Sequence, residues 1–391
     1  MKISFVVPNR NNLKYFKWSY DSIRKNQGNH EVYICSASDF CNDGTNEFYE
    51  SLSKTDDKFS YILNNGPTRL GHTILYDRIV NELVKTDVFI IWHCDMYLCP
   101  GSIDFIEKNI KPGTVVSLTR IEPPLHPPGP EKIIAGFGIE PEEFDEKKFL
   151  NWFETTSKTY ANKITDGIFA PWAIYKKDFQ SIGGHDPLFA PQSKEDSDIF
   201  NRFLLNGYKF IQTWEGCVYH MTCRGSRYNP TLTTVGKESD EWLKQNVRSA
   251  RNFIRKWGHF VKHDSYMKPI VPKKYSVGFV IRNANENLVA ALEPWCTKLY
   301  SDVNYDRYIS GEQPNTKFNL RDKLKKLSDP KHESVLIEFD GTDFKNEDFN
   351  FLSQLSEVIE ETNEIGTFEF GIFKIKINSL DSEENKLIIL K

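Results

Sequence analysis

No run in this 391-residue sequence approaches the roughly 20 apolar residues that a membrane span requires. The opening apolar stretch, residues 3–7, is too short for a signal peptide and no small-residue cleavage site follows it. A cytoplasmic location with no transmembrane segment is therefore the expectation. Cysteine gives no framework either: the seven are odd in number and none lie in a CxxC pair. They are expected to be reduced thiols, mostly in or near the core. Charge of one sign is also missing, since the formal net charge is only −4, which removes the reason to expect nucleic acid as a partner. What the chain does have is length enough for two domains and an aromatic content of 14%, the mark of a globular protein with a ring-rich interior or cleft.

The chain is organised around residues 88–101. An apolar run from Val88 to Trp92 stops at His93-Cys94-Asp95, and a Pro100-Gly101 turn follows shortly after. An apolar run without alternation reads as a central parallel strand covered on both faces. Ligands in open α/β sheets sit beyond the carboxyl ends of such strands. His93 and Asp95 leave the strand there two residues apart, so in extended chain an imidazole and a carboxylate point to the same side and could share one divalent cation. A strand followed by an ordinary polar turn fits the same residues. Cys94 and Cys99 invite a zinc site, but a Pro turn at a strand end would splay the four ligands zinc needs.

Around this stretch the periodicity alternates. Strands are expected at 3–7, 30–35, 61–63 and 88–92, with helices at 13–24, from Thr45 onward, and at 71–85. That order implies an α/β fold: a mostly parallel sheet with helices on both faces.

Several segments in this order carry a resemblance. They are Ser4-Phe5-Val6-Val7-Pro8-Asn9-Arg10-Asn11, then Asp39 with Asn42-Asp43-Gly44-Thr45, then a Gly-led helix, then His93-Cys94-Asp95. Gly183-Gly184-His185-Asp186-Pro187-Leu188-Phe189, Lys194-Glu195-Asp196 and Gly207-Tyr208 follow. Together they resemble GT-A glycosyltransferases of the family-2 type across residues 1–225. The resemblance implies a nucleotide-sugar donor, transfer to an acceptor hydroxyl on a glycan, lipid or protein with inversion, and a divalent metal, Mn²⁺ or Mg²⁺.

It also implies roles. Pro8, Asn9, Arg10 and Asp39 would form the nucleoside side of the donor site, with Arg78 a weaker contributor and an exposed helix arginine its plain alternative. His93 and Asp95 stand where the family has asp-x-asp: the second carboxylate is kept and the first is replaced by imidazole. Asp95 and His220, with His93, would hold the metal, and the imidazoles would suit Mn²⁺ better than Mg²⁺. Arg224 and Arg227, just beyond, could clamp phosphate. Asp196 would be the base and Glu195 its neighbour at a helix start, though paired carboxylates there are also an ordinary dipole preference. Trp172, His185 and Asp186 would lie towards the acceptor, beside the proline-rich loop 123–130. The His93 replacement also permits a non-catalytic sugar-nucleotide or glycan-binding protein. A nucleotidyltransferase shares the sheet and the metal, but the loop Pro8 to Asn12 lacks the glycines such an enzyme would carry.

Beyond this region, Ser239 caps an expected helix with Trp242, Val247, Ala250, Ile254 and Trp257 on one face and Lys244, Arg248, Arg251 and Arg255 on the other. A solvated basic face, or peripheral contact with an anionic membrane, would follow. The domains expected are 1–262, a linker 263–274, and a small accessory α/β domain 275–391. In the last, residues 276–283 and 335–341 echo the first and central strands. Helices are expected there at 287–293, 320–327 and 347–360, and strands at 277–281, 334–339 and 367–377.

Overall fold

A computed structural model describes residues 1–222, 224 and 238–390. The chain divides into two compact units: Met1–Leu243 with His263–Pro269, and Lys244–Lys262 with Ile270–Ile389. The expected linker 263–274 is thus shared between them, and residues 244–262 group with the second unit rather than the first. Among the described residues no helix is long and apolar enough to cross a membrane.

In the first unit the strands are β1 (Lys2–Asn9), β2 (Glu31–Asp39), β3 (Phe59–Asn64), β4 (Val88–Ile91), β5 (Met96–Leu98), β6 (Thr114–Glu122), β7 (Ile133–Ile134), β8 (Ile164–Thr165), β9 (Trp172–Tyr175) and β10 (Lys209–His220). The helices are α1 (Leu13–Asn26), α2 (Thr45–Thr55), α3 (His72–Glu82), α4 (Ser102–Asn109), α5 (Glu146–Thr159), α6 (Lys176–Ser181) and α7 (Glu195–Leu205). The sheet runs β3-β2-β1-β4-β9-β6-β10-β5, with β9 and β5 antiparallel to their neighbours. This is the mixed, mostly parallel α/β sheet that the alternation implied.

Strand order places the site. From β1 the chain steps outward to β2 and β3, then returns to the other side of β1 as β4. Right-handed crossovers therefore put α1 and α2 on one face and α3 on the other. The reversal leaves a crevice beyond the carboxyl ends of β1 and β4, the place where open α/β sheets bind ligands. Residues 9–11 and 93–95 emerge at that crevice. Its floor is fixed by packing: Trp92 meets Phe5 at 4.9 Å between ring centroids, and its indole N–H donates to Ser19 Oγ at 2.8 Å.

Two glycines bring the later segments to the crevice. Gly71 (φ +81°) precedes α3, and a Cβ there would come 2.1 Å from the Pro191 carbonyl oxygen. Gly184 (φ +69°) sits so close to Asp77 that a Cβ would lie 2.0 Å from its carboxylate. Only glycine permits these approaches, which set the start of α3 against the segment leading into α7.

The second unit has the sheet order β13-β12-β11-β14-β16-β15. The strands are β11 (Val277–Arg282), β12 (Lys298–Ser301), β13 (Leu324–Lys326), β14 (Val335–Asp340), β15 (Gly366–Phe370) and β16 (Phe373–Ile377). Strands β11 to β14 are mutually parallel and β16 is antiparallel to β14. The path β13-β12-β11-β14-β16 therefore repeats, in order and sense, the path β3-β2-β1-β4-β9. The echo of strands one and four in the sequence has this structural counterpart. The equivalent crevice is stitched across: Asn283 Nδ2 donates to Asp340 Oδ2 at 2.6 Å.

Three expectations for this unit are corrected. Residues 320–327 form one helical turn, Leu320–Lys323, and then β13. The strand at 367–377 is a hairpin broken at Gly371 (φ +55°). The helix at 347–360 is two, Asp348–Ser353 and Leu355–Thr362.

Candidate functional site

His93, Asp95 and His220 converge, with one donor atom from each lying within 4.8 Å of the others. His93 and Asp95 come from the turn after β4. His220 is the last residue of β10, and β5 pairs antiparallel with it there, Met96 opposite His220. His220 is held at both nitrogens: Nδ1 is 2.9 Å from Glu122 Oε1, and Nε2 is 3.4 Å from Asp95 Oδ1. Burial alone would lower its pKa, but the two carboxylates raise it to about 9. Burial pushes Asp95 up, yet His220 and His93 hold it below the ordinary carboxylate value. Burial lowers His93 below the ordinary imidazole value. The donor set of two imidazoles and a carboxylate fits a divalent cation, with the imidazoles favouring Mn²⁺ over Mg²⁺. Cys94 is not part of the set; its thiol turns away to the Pro8 carbonyl.

Glu195 and Asp196 open α7. His93 feels the field of Asp196 as well as that of Asp95, and buried Tyr76 feels all three carboxylates. Asp196 is thus within electrostatic range of His93, and both carboxylates are within that of Tyr76. Glu195 is 7% exposed and its Oε2 has no hydrogen-bond partner. Burial, then the neighbouring Asp196 charge, raises its pKa to about 8. That environment favours the neutral, protonated form of Glu195.

That proton has a consequence for stability. Between its unfolded value of 4.5 and about 8, the folded chain binds the proton more tightly than the unfolded one. Stability contributed by the neutral group is complete below pH 4.5 and is lost as pH rises through 8, by about 5 kcal/mol at most. Glu195→Gln, which cannot ionise, is expected to gain on the wild type in melting temperature as pH rises from 5 to 8. An unchanged difference across that range would contradict the protonated state.

The donor-side candidates divide. Asn9 is buried, and its Oδ1 accepts from the Asn12 N–H. Arg10 has a buried Nη1 without a hydrogen-bond partner, a donor available to an anion. Pro8 is the β1 residue whose carbonyl meets Cys94. Asp39 is buried and accepts from Asn64 Nδ2 at 2.8 Å and from the Leu70 and Gly71 N–H groups at 2.9 Å each. Its carboxylate ties down the loop before α3, a structural duty the sequence did not announce. Arg78 lies about 9 Å along α3 from His72 and pairs with Glu82 at 2.8 Å, the plain helix-surface arrangement. Arg224 pairs with Glu140 at 3.3 Å, and Tyr15 donates to the same carboxylate. Arg227 lies outside the described residues.

Of the acceptor-side candidates, two are buried. Trp172 is 0% exposed, ringed by Phe89, Phe179, Phe200 and Phe203. His185 is 2% exposed and its Nδ1 meets Asp77 at 2.7 Å. Both are buried in the aromatic core. Asp186 caps the turn Pro187–Phe189 by accepting from the Leu188 N–H.

Three residues at the site were not singled out from the sequence. Glu122 ends β6, immediately before the proline-rich loop. His72, the first residue of α3, has its ring 6.5 Å from that of His93, and burial followed by the Arg69 charge lowers it to about 3. Tyr76 follows one turn later. Their one signal was their place on the Gly-led helix.

The sequence matches no family model and no curated protein. Among solved structures, it is similar to GalNAc-T7 with UDP, GalNAc and Mn²⁺ at a TM-score of 0.45 and 13% identity, covering 66% of this chain. The match spans 48% of that protein's length. A second is the mannosyltransferase PcManGT from Pyrobaculum calidifontis in complex with GDP-Man and Mn²⁺, at 0.43 and 14% identity, covering 69% of this chain and 67% of that one. A third is S. aureus TarS 1-349 with UDP-GlcNAc, at 0.37 and 12%, covering 65% and 73%. Likeness at this level assigns no activity to the chain.

Proposed function

We propose that the first unit is a GT-A glycosyltransferase of the family-2 type, moving a sugar from a nucleoside-diphosphate donor to an acceptor hydroxyl with inversion. The observation that carries this reading is the convergence of His93, Asp95 and His220 at the sheet's switch point, with Asp196 within electrostatic range of His93. A divalent cation held by those three residues, Mn²⁺ in preference to Mg²⁺, would offset the charge gathering on the departing diphosphate.

The remaining work falls to the chain. Arg10 would donate its unpartnered N–H to a phosphate oxygen, with Asn9 at the same strand end and Arg224, paired with Glu140, as a second guanidinium. Asp196 would take the proton of the acceptor hydroxyl as that oxygen bonds the anomeric carbon and the bond to the diphosphate breaks. Glu195 in its neutral form would donate a hydrogen bond to a sugar oxygen and would keep a second negative charge away from the base. The acceptor is a glycan, lipid-linked or protein hydroxyl.

Asp196→Asn tests the base. Transfer should fall about 10²–10⁴-fold while donor affinity stays near that of the wild type. Equal transfer by the variant and the wild type would remove Asp196 from the mechanism.

A further inference from the structure

We propose that Glu122 is a positioning residue: by accepting the His220 Nδ1–H it turns Nε2 onto Asp95 and His93, preforming a two-imidazole, one-carboxylate site that takes up a divalent transition metal before any nucleotide arrives. The proposal rests on reading His93, Asp95 and His220 as a cation site.

An imidazole ligates through one nitrogen, and the partner of the other decides which one and in what orientation. Glu122 is 2% exposed and is fixed from several directions. Its backbone carbonyl accepts from the Ala135 N–H at 2.9 Å, where β6 meets β7. Its Oε2 receives Lys132 at 3.0 Å and its Oε1 lies 3.3 Å from Arg120 Nη1. Arg120 is in turn immobilised over the Phe169 ring at 4.1 Å and beside Glu131 at 3.6 Å. His220 thus swings against a carboxylate that cannot follow it. Nε2 faces Asp95 at 3.4 Å, and the His93 ring lies 5.9 Å from that of His220. Three protein donors already gathered do not need phosphate oxygens to complete a first attachment for the ion. A carboxylate present only to neutralise Lys132 and Arg120 would have no reason to meet the imidazole.

The experiment is titration of the full chain with Mn²⁺ alone, without nucleotide, reading free Mn²⁺ by electron paramagnetic resonance. Mg²⁺ is added as competitor, and the melting temperature is recorded without metal. Wild type should bind Mn²⁺, with Mg²⁺ a poor competitor. Glu122→Gln should bind Mn²⁺ about 10–100-fold more weakly. Glu122→Asp keeps the charge that Lys132 and Arg120 require, so its fold is secure, but it draws the carboxylate back from Nδ1; it should weaken binding at least tenfold. Glu131→Gln, which alters Arg120's other partner and does not touch His220, should bind like wild type. If wild type binds and both Glu122 variants match it, the positioning role is overturned and the cation site stands. If wild type takes up no Mn²⁺, the cation site itself falls, and the inference with it.

Discussion

Asp95→Ala is expected to abolish Mn²⁺ binding and to reduce sugar transfer by about a thousandfold, with the metal-free melting temperature within a few degrees of wild type. Asp95 is the one carboxylate in the three-residue donor set, and its removal leaves two neutral-capable imidazoles to hold a hard dication. Fold stability should survive, because His220 keeps its 2.9 Å bond to Glu122 and the turn's backbone is held independently. Trp92 N–H donates to the Val6 carbonyl, and Met221 N–H to the Asp95 carbonyl. Isothermal titration with Mn²⁺ and a donor-release assay on the same preparation separate the two effects. A variant that binds Mn²⁺ as tightly as wild type would show that the cluster is an ordinary buried ion network.

The second large effect lies in the second unit. Glu293 is 0% exposed and receives Arg255 at 2.6 Å, Lys323 at 2.8 Å and the Tyr308 hydroxyl at 2.8 Å. Arg251 joins at 3.5 Å, and Arg255 also meets Glu312. Glu293→Ala leaves Arg255 and Lys323 buried without their shared counter-ion, a loss of about 3–5 kcal/mol. Burial would raise the Glu293 carboxyl, but Lys323 and Arg255 hold it at about 2. The folded pKa is depressed, so this stability is present above pH 4.5 and is lost as pH falls towards 2. Hydrogen exchange of the β11 and β14 amides reports this unit by itself. Protection there should collapse in the variant while β1 and β4 keep theirs; unchanged protection would mean the network is not what holds the unit.

This network also explains why one sequence expectation inverted. The helix from Asp240 to Trp257 (α8) does start at Ser239, whose hydroxyl accepts the Trp242 N–H. Its basic face was expected to meet solvent or a membrane surface. Arg251 and Arg255 instead point into Glu293 and Glu312, and Val247, assigned to the buried face, is 60% exposed. The partners stand 38 to 61 residues further along the chain, and no local periodicity reports them.

The same distinction runs through the site. Val88 to Trp92 was legible as a central strand because burial on both faces leaves an unbroken apolar run, and β4 is central, parallel to β1 though antiparallel to β9. Asp95 and His220 were legible because each ends a strand-like segment. Glu122 was not, since a glutamate before two prolines looks like the start of a solvated loop. Trp172 and His185 ran the other way: an indole near a polar loop suggests a sugar platform, and only the surrounding rings show its burial. Asp39 was expected in the loop after a strand ending at residue 35; it is instead the last residue of β2, and its hydrogen bonds to the loop before α3 depend on residues 66–71 folding back, which pattern alone does not specify. β12 went unread because residues 298–301 are few and mixed.

The cluster formed by the turn after β4 and the end of β10 is proposed to use a metal in sugar transfer. The most direct measurement is release of nucleoside diphosphate from a panel of nucleotide sugars, with Mn²⁺ and with chelator, by wild type and by Asp95→Ala. The account predicts that one donor is turned over by wild type with Mn²⁺, and not with chelator or by the variant. A donor that raises the melting temperature but is never turned over, even with candidate acceptors present, would contradict it, as would a panel in which no donor binds at all.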